Sequence, residues 1–167
     1  MTAKEKQTEF IKSYLKPTLK QHGYQTSGLT WWKDRGDFFN VINLQNYSWN
    51  LSNSVHFRFN IGMALKATVR NEHKKKVTYH DLITHIDEGV FLPDRINRKF
   101  GNNLGYSIEV ETILNEFISV LKIDFENYII PGLGKFESLD DWLRFYERFP
   151  VLYDSLKRKI QANDLKI

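Results

Sequence analysis

The sequence predicts an α+β fold: an N-terminal helix, an antiparallel β-meander of three to five strands with one face covered by helices, and a helical C-terminal part. Three observations predict it. Residues 2–22 place Ile11, Tyr14, Leu15, Thr18 and Leu19 at three- and four-residue steps, the period of an amphipathic helix. Residues 55–63 alternate, with Val55, Phe57, Phe59 and Ile61 on one face and His56, Arg58 and Asn60 on the other, the period of a half-buried strand. Residues 107–128 return to a helical period through Val110, Ile113, Leu114, Phe117, Ile118, Leu121, Phe125 and Tyr128.

Taken in order, the first helix stops at Gly23, and Pro17 inside it removes a backbone donor and crowds the preceding turn, so a kink or a division into two pieces is expected. Lys12, Lys16 and Lys20 form a basic stripe along it, which reads as a solvated helix face. Strands follow at residues 29–33, 38–47 and 55–63, joined by the turn Arg35-Gly36-Asp37 and by a loop over residues 48–54 that contains Trp49. The second strand mixes amides with apolar residues on both sides, which means that both faces are partly covered or that a bulge shifts the register. Of the adjacent Trp31 and Trp32, at least one packs in the core, because strand neighbours point to opposite sides.

Beyond this meander, Asn71-Glu72-His73-Lys74-Lys75-Lys76 is a polar basic turn. Residues 79–86 fit a short strand or a helical turn. Residues 87–106, rich in Gly, Asn and Arg, read as a long connection carrying Arg95, Arg98 and Lys99. Ser107 is placed to cap the long helix, with Glu109 and Glu111 in its first turn, and Pro131-Gly132 and Gly134 to end it. Ser138-Leu139-Asp140-Asp141 then opens a helix with apolar Leu139, Trp142, Leu143 and Tyr146, and Pro150 opens a last one with Leu152, Leu156 and Ile160 inward.

The chain has 167 residues, a length that fits one domain spanning residues 1–167, and 41% of them are hydrophobic, enough for a core. The absence of cysteine excludes disulfide scaffolds, thiolate nucleophiles and Cys-ligated metal sites. The polar, charged first residues and the lack of a long apolar run lead us to expect a soluble, cytoplasmic protein with no membrane partner. The formal net charge of +4 understates the basic surface. Residues 107–130 hold only Lys122 against Glu109, Glu111, Glu116, Asp124 and Glu126, which leaves the rest of the chain more positive.

The order of motifs is also distinctive: His22-Gly23-Tyr24 after the first helix, then Trp31-Trp32-Lys33, Val41-Ile42-Asn43-Leu44-Gln45 and Phe57-Arg58-Phe59-Asn60-Ile61-Gly62, with Thr84-His85-Ile86 and Arg95-Ile96 further on. This order resembles an uncharacterised bacterial family, domain of unknown function 4304, over most of the chain. The resemblance implies an α+β domain of bacterial origin, and it carries over no activity, cofactor or catalytic residue.

No phosphate-binding glycine loop is present, since Gly132-Leu133-Gly134 follows a helix where such a loop follows a strand. His80 and His85, five residues apart, do not share a face and cannot chelate a metal as a local pair. No nucleophile elbow occurs, and Ser107, Ser138, Asp140 and Asp141 are better explained as helix caps and first-turn acids. We therefore assign no catalytic residue, metal ligand or cofactor. The candidate site is the polar face of the meander, where Asn43 and Gln45 lie beside His56, Arg58 and Asn60, with Trp49 as a contact anchor. Three functions follow. The leading one is a non-catalytic module that recognises a protein partner, an immunity or inhibitor protein being one form of it. The second is nucleic-acid binding through Lys74, Lys75, Lys76, Arg95, Arg98 and Lys99 together with the lysine stripe. The third is an enzyme or binder of a small anionic ligand held by His56 and Arg58.

Overall fold

A computed structural model describes residues 1–69, 76–94 and 97–167. The chain begins with α1 (Ala3–Phe10), capped reciprocally: the Thr2 hydroxyl accepts from the Glu5 amide at 3.2 Å and the Glu5 carboxylate accepts from the Thr2 amide at 2.7 Å. It continues through a π turn, Ile11–Leu15, into α2 (Lys16–Gln21). The interruption expected at Pro17 takes the form of this π turn. The Lys16 amide reaches back five residues to the Ile11 carbonyl, and Pro17 then occupies the first turn of α2, where its missing donor costs nothing. Gly23, at φ 87°, ends the helix.

The sheet comprises β1 (Gln25–Ser27), β2 (Thr30–Asp34), β3 (Phe38–Asn46), β4 (Ser54–Leu65), β5 (Thr84–Asp87), β6 (Gly101–Asn102) and β7 (Gly105–Glu109). Among the described residues it is seven-stranded and antiparallel in the order β1-β2-β3-β4-β7-β6, with β5 also on β4. The three strands read from the sequence are β2, β3 and β4, and the rest are short. The β3–β4 register runs without a bulge from Phe38 opposite Leu65 to Asn46 opposite Phe57, so the mixed pattern of β3 reflects cover on both faces. The outer edge of the long β4 is shared. β7 pairs with Ser54 to Phe57 and β5 with Asn60 to Met63.

Two expectations are corrected here. Ser107 caps no helix; it lies in β7 opposite His56, and α3 begins at Leu114 (Leu114–Asp124). Tyr106 and Ile108 are buried while Ser107 and Glu109 are not, a two-residue period hidden inside a segment that also fits 3.6, and the open edge of β4 decides between them. Val110 and Ile113 consequently stay exposed, Ile113 at 60%. Nor do Pro131 and Gly132 end the helix. A second π turn, Phe125–Ile129, precedes α4 (Ile130–Gly134), with the Ile130 amide bonded to the Phe125 carbonyl and Pro131 in the first turn, the same arrangement as at Pro17. Residues 79–86 hold both alternatives, a 3-10 turn (Tyr79–Asp81) and β5. The connection after residue 87 contains a 3-10 turn (Glu88–Phe91) and β6.

The helical part closes with α5 (Leu139–Tyr146) and α6 (Pro150–Ala162). Ser138 and Asp141 form the expected capping box, and Asp140 pairs with Arg144 one turn on. The core lies between these helices and one sheet face: Phe57, Phe59 and Ile61 meet Phe10, Phe117, Phe125 and Trp142, with Phe59 and Phe125 edge to face at 4.9 Å. Both tryptophans of the pair are buried, on opposite sides. Trp31 faces the helices, while Trp32 joins Val41, Ala64 and Val77 in a smaller cluster on the other face.

Candidate functional site

The second sheet face is divided. At the β3 start it carries the Trp32 cluster, covered by Val69, Val77 and Leu82 from the connection after β4. At the other end it is polar and only partly buried, and the alternation of β3 and β4 sets which side chains it presents: Asn43, Gln45 and Tyr47 beside Ser54, His56, Arg58 and Asn60. β5 adds His85 and Asp87, and β7 adds Ser107 and Glu109.

The amides form a ladder that aims the guanidinium. Asn60 Nδ2 donates to Asn43 Oδ1 at 3.2 Å and to Gln45 Oε1 at 2.9 Å, and Asn43 Nδ2 donates to Thr30 Oγ1 at 3.0 Å. The same Gln45 oxygen accepts from Arg58 Nε at 3.3 Å and Nη2 at 3.2 Å. Asn43 and Asn60 are buried, so their place is to hold Gln45 and Arg58 rather than to touch a ligand. Among the described residues no carboxylate pairs with Arg58, which lies 6.0 Å from the Tyr47 ring centre. Burial, and then the charge of Arg58, lower the pKa of His85, keeping its imidazole neutral at pH 7. Tyr79 packs on that imidazole at 5.5 Å between ring centres.

Trp49 joins this face through Tyr47. The two rings stack at 4.3 Å, and the Tyr47 hydroxyl donates to the Leu104 carbonyl at 2.6 Å. The loop is pinned by Asn50, whose side chain accepts from the His56 amide and donates to its carbonyl, both at 2.8 Å. Trp49 and Leu104 are nonetheless 55% and 53% exposed. His56 meets Ser54 Oγ at 3.2 Å and Glu109 at 3.8 Å.

Of the basic candidates, Lys76, Arg98 and Lys99 fall among the described residues. Lys74, Lys75 and Arg95 lie outside the described residues. Lys76 is exposed, Lys99 pairs with Glu116 at 2.9 Å, and the Arg98 side chain is only 7% exposed. Arg98 turns inward, 3.5 Å from Glu88 and 4.6 Å above the Tyr106 ring, so it presents no charge to a phosphate backbone.

Residue spacing gave no sign of this buried group. Glu88 fills the stretch of β4 edge left between β5 and β7, where its carboxylate accepts from the Phe59 amide at 3.2 Å. Burial pushes its pKa up to about 7, with Arg98 opposing. Tyr106 donates to Asp124 at 2.7 Å, and burial raises that carboxyl as well. Among the described residues no cluster of three or more His, Asp or Glu is placed to hold a metal, and no helix is long and apolar enough to cross a membrane.

The profile of a family described as Domain of unknown function (DUF4304) matches residues 15–134, which span every strand and end with α4. No curated protein and no solved structure matches the chain.

Proposed function

We propose that this chain, which belongs to the DUF4304 family, is a non-catalytic module that recognises a protein partner through the polar end of its second sheet face. The observation that carries the reading is Trp49: exposed, yet stacked on Tyr47, whose ring lies 6.0 Å from an Arg58 that has no carboxylate partner among the described residues. Trp, Tyr and Arg dominate the energetics of protein interfaces because each buries a large area while losing few rotamers or making several directed bonds. Here the loop carrying Trp49 is pinned by Asn50 and the guanidinium is aimed by Gln45, so part of the ordering cost of binding is met before a partner arrives.

A photo-crosslinking residue placed at position 51, next to Trp49, tests this in the native cell. We expect a stoichiometric protein adduct that Trp49→Ala abolishes, the truncation weakening binding by about 2 kcal/mol, roughly thirtyfold. No adduct, or one indifferent to both Trp49→Ala and Arg58→Ala, overturns the reading.

A further inference from the structure

The covered end of the same face holds a pocket that the partner surface does not use. Its volume is about 520 Å³, within the range of small-ligand sites. Trp32, Phe39, Val69 and Val77 supply apolar walls, and Lys33, Lys66 and Lys76 stand around them, with Asp34 the one acid among the described lining residues. Asp34 is already committed, since both its oxygens lie 2.8 Å from Lys66 Nζ. Lys33 and Lys76 therefore remain without a carboxylate among the described residues. The Lys33 stem crosses Gly23, where a Cβ would meet its Cε at 3.3 Å, and its ammonium is partly desolvated. Arg35 adds positive charge next to it, with a buried Nε that has no acceptor among the described residues. An apolar cavity whose described rim carries Lys33 and Lys76 without a carboxylate partner complements a molecule with an apolar body and a negative head.

We propose that this pocket binds a small amphipathic acid, an acyl or aryl carboxylate, with its apolar body against Trp32, Phe39, Val69 and Val77 and its carboxylate among Lys33 and Lys76.

Titration of the full chain with decanoate, followed by amide and indole chemical shifts, tests it. We expect saturable one-to-one binding with the shifts confined to Trp32, Val69, Val77 and their neighbours. Decanol, or decanoate with Lys33→Met/Lys76→Met, should bind about tenfold more weakly, the loss of a charge-assisted contact. These lysines are at the surface and Met keeps their stems, so the variant tests charge rather than folding. Shifts centred on Trp49 and Arg58, an equal affinity for decyltrimethylammonium, or the lack of saturation would overturn the assignment. The crosslinking experiment tests Trp49 and the partner surface separately, so either proposal can fail while the other stands.

Discussion

Asn40 shares the helix side of the sheet with Ile42 and Leu44 and is 0% exposed, and its one amide serves three partners. Nδ2 donates to the carbonyls of Leu133 and Phe136, both at 3.2 Å, and Oδ1 accepts from the Trp142 indole at 3.0 Å. It thus fastens the end of α4 and the start of α5 to β3. Asn40→Ala leaves the Trp142 indole N–H and the Phe136 carbonyl without this partner inside the core, while the Leu133 carbonyl keeps the Phe136 amide, and we expect a loss of about 3 kcal/mol in urea unfolding. Asn43→Ala, nearer the open end, should cost about 1 kcal/mol, because Asn60 keeps Gln45 as a second acceptor. Equal losses for the two would contradict this ranking. Period-two alternation was enough to put Asn43, Gln45, His56, Arg58 and Asn60 on one face. It could not tell which amides bond to each other and which meet water, since that depends on the register across β3 and β4 and on how far the neighbouring segments reach.

Among the elements, β4 was the most legible because its length and strict alternation leave one interpretation, and β7 the least because a five-residue strand carries too few positions to separate two periods. The two proline-bearing helices show a related limit. The sequence marks where Pro17 and Pro131 disturb the ladder but not that one wide turn before each absorbs the clash and lets the chain remain helical. β5 owes its close approach to a glycine: a Cβ on Gly62 would collide with the Thr84 carbonyl and the His85 backbone, neither of which can move aside like a side-chain tip. Gly62→Ala should therefore cost about 3 kcal/mol and act locally. Hydrogen exchange should quicken at the amide of Ile83, which bonds the Met63 carbonyl, while the β3–β4 ladder stays protected. Uniform loss of protection would show that β5 does not open by itself.

For the molecule as a whole, the α+β class and the helix-covered face were legible because each rests on long periodic segments. Glu88 and Arg98 were not, because they pair across a gap that exists only once β5 and β7 have both docked on β4. That gap gives stability a pH dependence. Glu88 ionises near 4.5 when exposed and near 7 in the fold, so the folded state holds this proton more tightly. Below about pH 4.5 both states are protonated and the contribution is fully present; as pH rises through about 7 it is lost, by on the order of 3 kcal/mol. The lowered His85 works in the opposite direction, losing stability as pH falls below its ordinary value near 6.5, and Asp34 likewise loses stability as its carboxyl is protonated below the usual range. Unfolding free energies of the native chain therefore blend several groups, but subtracting those of Glu88→Gln removes whatever the two proteins share. The glutamine keeps an acceptor for the Phe59 amide, and the unpaired Arg98 it leaves is charged at every pH, so its cost shifts the difference without sloping it. The native-minus-variant difference should fall steadily between pH 4.5 and 7.5 and level off on either side. A difference that stays flat across that window would mean that Glu88 is ionised in the fold like any surface carboxylate.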